Sequence, residues 1–355
     1  MLWALALLPL LLSGAVALSP ASRGAEHAVL SATNVPGYLP VVLWHGMGDS
    51  CCADYSIGAV RELIERELPG VFVHSINTGL GGSSVADIFS SYFGSLNDQV
   101  ARVCDELLAL EELKDGYVAV GFSQGGQFMR AVAERCQHVG PKMHTLVTMG
   151  AQHQGVANVP GCWEPGGGGA PSASFYCRTM QGLISRGAYT AWVQRHVVQA
   201  QYVKDPYRLP EYLAASQFLA DINNEVPARR NKRYRENLAS LQRLVLFLFE
   251  DDDMVVPRES SHFGFYNGSR LLAMEETELY QQDWIGLRQL QESGRLELAR
   301  CPGRHMQFSL EWFAQHVVRP YLAVPQPGPA AAAGAAAAAA GQQGGGQQPR
   351  QQVQR

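Results

Sequence analysis

The sequence predicts an α/β fold with a mostly parallel central sheet, and three observations carry that prediction. From Pro40 to about Ala151, short β-branched runs alternate with helix-forming runs, a βαβα order that implies parallel strands joined by right-handed crossovers. The strand-like runs, such as "VVLW", are apolar along their length, as strands covered on both faces are. One of them, "YVAVG", passes through Gly121-Phe122-Ser123-Gln124-Gly125 straight into a helix-forming segment, which is the strand-to-helix turn of an α/β-hydrolase nucleophile elbow.

Taken in order, residues 1–17 read "MLWALALLPLLLSGAVA", an apolar run closed by Ala15-Val16-Ala17. Its length and small-x-small ending predict a cleaved secretory signal rather than a span of about 20 residues. Residues 18–36 are mixed and expected to be loose. A catalytic domain is expected over 37–323. Its first strand is Pro40–Trp44, followed by a helix in "IGAVRELIERELPG", where apolar residues fall at helical spacing before a glycine stop. "VFVHSIN" reads as strand, Ser84–Leu113 as one long helix, "YVAVG" as strand, "QGGQFMRAVAERC" as helix and "HTLVTMGA" as strand. From about 152 to 239 the pattern changes to a glycine-rich loop and helical stretches holding Tyr189, Trp192, Tyr202 and Tyr207. This segment reads as a helical insertion. Strand character returns in Arg243–Phe249 and Gly294–Arg300, and "SLEWFAQHVVRPYL" is an amphipathic closing helix. Residues 324–355 are Ala, Gly, Gln and Pro repeats that cannot bury a core and are expected to be disordered.

The bulk properties narrow the function. With 355 residues, 46% hydrophobic and 17% charged, the chain can bury a large core. A formal net charge of -4 offers no basic field for nucleic acid. No segment after the signal is long and apolar enough to span a bilayer. The seven cysteines fit an oxidising lumen, as three disulfides and one remaining thiol. No CxxC pair or histidine pair at ligand spacing points to a metal, and no cofactor is implied. Asn267-Gly268-Ser269 is an N-glycosylation sequon, expected on an exposed loop.

For Ser123 to attack, it needs a histidine base and an orienting acid, which in this fold follow in the order Ser, acid, His. His262, His305 and His316 lie late enough. His262 comes too soon after any candidate acid, and His316 falls inside the final helix. His305, in the loop after "GRLELAR", is the expected base. The acid is expected among Glu250, Asp251, Asp252 and Asp253, which follow the "LVLFLF" strand; side-chain periodicity does not choose between them. Backbone N–H groups for a developing oxyanion are expected from Gln124 and from the turn His45-Gly46-Met47-Gly48. His45 is expected to orient that turn.

The stretches "VVLWHGMGDSCC", "GFSQGGQFMRAVAERC", "GAQHQGV", "FLADIN" and "FGFY" closely resemble the lysosomal palmitoyl-protein thioesterases, and the family's first member more than its second. The resemblance runs from about Pro40 to Leu322. It implies an α/β-hydrolase core whose helical insertion forms much of a fatty-acyl groove. It further implies removal of long-chain acyl groups from cysteine thioesters during lysosomal protein degradation. The partners implied are S-palmitoylated proteins and peptides, with a lysosomal sorting receptor on the delivery route. By position, the nucleophile falls on Ser123, the base on His305 and the acid on Asp252, five residues before Pro257. The oxyanion donors fall on the amides of Met47 and Gln124. The implied disulfides are Cys51 with Cys52, Cys104 with Cys136, and Cys162 with Cys177, leaving Cys301 free. Cys301 departs from the family pattern, and so does the position of Asn267. The motifs alone also fit a lumenal lipase or oxygen-ester esterase with the same triad, or a lipid-binding protein that kept the fold.

Overall fold

The computed structural model describes residues 37–157 and 187–327. The expected signal, the loose segment 18–36, the glycine-rich part of the insertion and the repeats from residue 328 lie outside the described residues.

Six strands form one sheet: β1 (Val41–Trp44), β2 (Val73–Ser75), β3 (Tyr117–Phe122), β4 (Met143–Met149), β5 (Arg243–Phe249) and β8 (Leu296–Cys301). Their spatial order is β2-β1-β3-β4-β5-β8 and every pairing is parallel. A small antiparallel hairpin, β6 (Phe265–Tyr266) with β7 (Leu271–Leu272), stands apart.

The period-2 alternation of the strands divides the core into two layers. Val42, Trp44, Tyr117 and Ala119 face helix α3 (Leu96–Ala109), helix α4 (Gln124–Cys136) and the described part of the insertion. Val41, Leu43, Val118, Val120 and Phe122 face helix α1 (Ile57–Glu67) and the C-terminal helix through Ile57, Val60, Phe313 and Val317. A parallel sheet must be covered this way on both faces, so its strands carry no polar stripe.

The long helix expected over Ser84–Leu113 is broken. Helix α2 (Ser84–Ser90) stops, residues 91–95 run as a turn, and α3 starts afresh. Gly94 has φ +127, a backbone conformation that side-chain-bearing residues avoid. Its N–H donates to the His196 carbonyl. Ser95 then caps α3 by accepting from the Asp98 amide. The break places Ser91 beside the active site, as described below.

The C-terminal helix also departs from the expectation of a regular amphipathic element. It begins as α-helix at Leu310–Phe313 and widens into a π-helix over Ala314–Leu322, with Pro320 inside. Proline cannot donate to the helical ladder. Val324 and Pro325, expected in the disordered tail, pair with Leu39 and Tyr38 beside the sheet.

The insertion is held to α4 by Arg130, which is fully buried. Its guanidinium bonds Glu134 at 2.8 Å, the Ile222 carbonyl at 3.0 Å and the Asn223 side chain at 2.7 Å. Burial pushes the Glu134 carboxyl up to about 7 against the opposing pull of Arg130. The arrangement fastens the helix that carries the nucleophile to the residues behind it.

Candidate active site

The site lies at the C-terminal edge of the sheet, where β1, β3, β5 and β8 end. Ser123 has φ 53 and ψ -125, the strained turn between β3 and α4. The glycines of the motif make this turn sterically open. A Cβ on Gly121 would meet the Gly125 carbonyl and Gly126 Cα, both 2.5 Å away, and one on Gly125 would run into the carbonyl oxygens of Trp44 and His45. The Ser123 N–H donates to the Met149 carbonyl at 2.8 Å, which fixes the elbow against β4.

His305, in the loop after β8, places Nε2 2.9 Å from Ser123 Oγ and Nδ1 2.7 Å from Asp252 Oδ2. Among the four consecutive carboxylates, Asp252 alone points inward. Its side chain is fully buried, and Oδ1 accepts from the amides of Met254 and Val255, both at 2.9 Å. Asp251 is exposed, while Glu250 and Asp253 face Arg300 and Arg304. The turn after β5 thus decides a choice that the sequence pattern leaves open. Ser123, His305 and Asp252 form a continuous chain of hydrogen bonds, able to draw a proton from a hydroxyl into an imidazole braced by a carboxylate.

The turn expected to supply an oxyanion donor abuts the serine. A Cβ on Gly46 would sit 3.1 Å from Ser123 Cβ, and Met47 lines the cavity at Ser123. Two residues that sequence reasoning missed anchor this turn. The Gly48 N–H donates to Ser91 Oγ at 2.8 Å. Buried Asp87 lies 3.1 Å from His45 Nε2 and accepts from the amides of Cys51 and Thr78 at 2.8 Å each. His45 Nδ1 meets the Gly46 carbonyl at 2.9 Å, so both ring nitrogens face acceptors. His45 therefore orients the turn, as expected.

The pair has a defined pH signature. Burial alone would lower His45, but the hydrogen bond and charge of Asp87 outweigh it and its pKa is raised. Burial alone would raise Asp87, but His45 and two backbone amides outweigh that and its pKa is lowered. The raised histidine contributes stability that is complete below its unfolded pKa of about 6.5 and is lost as pH rises through the folded value; the lowered aspartate contributes above about 3.9 and is lost as pH falls through its folded value. Asp87→Asn is accordingly expected to destabilise the protein by about 3 kcal/mol near pH 5 and by less at pH 8.5. Denaturant unfolding at the two pH values checks this, and an equal loss at both would contradict it.

Gln124, the other expected donor, is locked in place by its side chain. Nε2 donates to the Ser91 carbonyl at 3.0 Å, and Oε1 accepts from the Tyr202 hydroxyl at 3.1 Å. The insertion thus backs the first residue of α4. A cavity of about 330 Å³ opens at Ser123 and His305, lined by the apolar groups of Ile57, Val60, Phe122, Met254, Met306 and Phe308. These residues come from the core and not from the insertion.

The remaining candidates fall elsewhere. His262 Nε2 lies 2.9 Å from the carbonyls of Leu246 and Ala299, and exposed His316 stacks on Trp312. Cys51 is joined to Cys52 and Cys104 to Cys136; Cys162 and Cys177 lie outside the described residues. Cys301 is free and buried, and burial pushes its thiol up to about 12, so it does not form a nucleophilic thiolate near neutral pH. Asn267 is exposed between β6 and β7. Among the described residues, no group of three or more His, Cys, Asp or Glu could hold a metal ion, and no helix is long and apolar enough to cross a membrane.

Comparison with known proteins points the same way. Residues 40–305 match the family model described as palmitoyl protein thioesterase. The chain is 44% identical over 291 residues to palmitoyl-protein thioesterase 1 of Caenorhabditis elegans, covering 81% of this chain and 93% of that protein. It is 30% identical to palmitoyl-protein thioesterase 3 of Dictyostelium discoideum, covering 80% and 89%. The mouse protein named lysosomal thioesterase PPT2 is 28% identical, covering 84% and 88%. With a family-model match from the first strand to His305 and a relative matched over nearly its whole length, this chain belongs to the palmitoyl protein thioesterase family.

Proposed function

We propose that the protein hydrolyses the thioester joining a long-chain fatty acyl group, palmitate above all, to the cysteine of an S-acylated protein or peptide. The observation that carries this reading is the unbroken contact from Asp252 through His305 to Ser123 at the mouth of an apolar cavity. Ser123 attacks the thioester carbonyl while His305 Nε2 takes its proton. Asp252 holds the Nδ1 proton and stabilises the imidazolium that forms. The amides of Met47 and Gln124 receive the carbonyl oxygen as it becomes negative. The C–S bond breaks, His305 returns the proton to sulfur, and the palmitoyl group remains on Ser123 as an oxygen ester. Water, activated by the same histidine, then releases the fatty acid. The apolar lining of Phe122, Met254 and Phe308 takes up acyl surface, at about 25 cal/mol for each Å² removed from water.

Two features support work in the lysosomal lumen: the signal-like N-terminus, and relatives named as lysosomal thioesterases. The His45–Asp87 pair adds a physical reason, since its contribution is complete in mildly acid solution. The sequon at Asn267 is the proposed glycan site, and a lysosomal sorting receptor the proposed delivery partner.

The test of the thioester preference compares palmitoyl esters of a thiol and of the matching alcohol. A thiolate, whose conjugate acid has a pKa of about 8.5, departs far more readily than an alkoxide. kcat/KM is expected to be at least about tenfold higher for the thioester. Equal values, or a preference for the oxygen ester, would make the protein a lipase or general esterase.

A further inference from the structure

Beside Ser123 lies a buried glutamine that the chain from Asp252 to Ser123 leaves unused. Gln152, three residues past the end of β4, is 2% exposed. Its Nε2 stands 3.2 Å from Ser123 Oγ and 3.3 Å from the Gly150 carbonyl oxygen, and its Oε1 is 3.3 Å from Gln127 Nε2. The Gly150 carbonyl decides the direction of the amide, because a carbonyl oxygen can only accept. The NH2 group therefore faces Oγ. Oγ sits between one group that takes its proton, His305 Nε2 at 2.9 Å, and one that can only donate to it.

We propose that Gln152 is a further catalytic residue, donating a hydrogen bond to the serine oxygen as that oxygen leaves the acyl-enzyme; this rests on the reading of Ser123 given above. Such a hydrogen bond accelerates a step only where it is stronger in the transition state than in the ground state. In the resting protein Oγ is a hydroxyl and already accepts the Gln152 N–H, so attack on the thioester gains little from it. In the acyl-enzyme Oγ is an ester oxygen, a poor acceptor. During deacylation a water oxygen bonds to the acyl carbon and its proton passes to His305. The C–Oγ bond then breaks and His305 returns the proton to Oγ. As that bond breaks, Oγ gains negative charge in a largely buried site, and the hydrogen bond from Gln152 strengthens. A thioester substrate makes this the step where help is needed. Sulfur leaves readily in the first half of the reaction, whereas a far more basic alkoxide must leave in the second.

Gln152→Met keeps the length and burial of the side chain and removes the donor. In stopped-flow turnover of a palmitoyl thioester, monitored by thiol release, it is expected to give a full burst of one thiol per protein. The burst rate should stay within about threefold, while steady-state kcat falls about tenfold, the worth of one hydrogen bond to developing charge. KM should fall with kcat because the acyl-enzyme accumulates, leaving kcat/KM nearly unchanged, a split that general damage to the fold would not produce. If that variant does not fold, Gln152→Asn, which withdraws the amide from Oγ by one methylene, is expected to show the same split. An unchanged kcat, or equal slowing of burst and steady state, overturns the role of Gln152 alone. Absence of a Ser123-bound acyl group in the unaltered protein overturns the Ser123 reading and this proposal together.

Discussion

Ser123→Ala is expected to lower kcat on a palmitoyl thioester by about 10⁴-fold or more, with the fold intact. The substitution deletes one oxygen from a residue that is 8% exposed. It leaves the Ser123 N–H bond to the Met149 carbonyl in place. The φ of 53 is no harder for alanine than for serine, so the melting temperature should stay within about 2 °C of the wild-type value, equivalent to about 1 kcal/mol. What is lost is the only hydroxyl, among the described residues, in contact with His305 Nε2. With the proposed oxyanion donors, the amides of Met47 and Gln124, still in place, a residual rate above that in water is expected. Steady-state kinetics with purified variant checks this, and activity within a hundredfold of wild type would mean that another group attacks.

Asp252→Asn should be nearly as damaging, about 10⁴-fold in kcat, through a change of tautomer and not of shape. In the native site Oδ1 accepts from the amides of Met254 and Val255 while Oδ2 faces His305 Nδ1. An asparagine must keep its oxygen toward those two N–H groups, so it turns its NH2 toward Nδ1. The imidazole then has to accept at Nδ1 and carry its proton on Nε2, where it can no longer take one from Ser123. Asp251→Asn and Asp253→Asn serve as controls, since neither side chain meets the imidazole. Loss of activity in either control but not in Asp252→Asn would put the acid at the wrong position.

The sequence made the sheet, the elbow and the serine legible because each is written locally. Apolar strands, a helix start and two glycines at fixed spacing lie within about twenty residues. The histidine that meets Ser123 was legible by elimination. Its carboxylate partner was not, because four successive carboxylates look alike until the turn after β5 directs one of them inward; a resemblance to known proteins supplied Asp252, and the hydrogen bonds place it against His305. The break at Gly94 carried a signal that periodicity overrode: a glycine within a helical pattern, followed by Ser95 as a cap. Asp87, Ser91 and Gln152 left no such trace. Apart from the Asp87–Thr78 bond, nine positions apart, each acts across the chain, from 33 to 43 positions away from the residues it holds in the first two cases and 29 from Ser123 in the third, and buried polar contacts of that separation have no local spacing to read. Gln152 does stand in "GAQHQGV", but nothing in that motif says that its amide meets Oγ.

The central claim is that Ser123 carries the acyl group during turnover, and peptide mass spectrometry on protein quenched in acid during hydrolysis of a palmitoyl thioester tests it most directly. The account predicts one palmitoyl adduct, on the peptide containing Ser123, absent from Ser123→Ala and blocked by prior reaction with a long-chain alkyl fluorophosphonate. An adduct on another residue, Cys301 included, or an active protein that labels with neither reagent at Ser123, would contradict it.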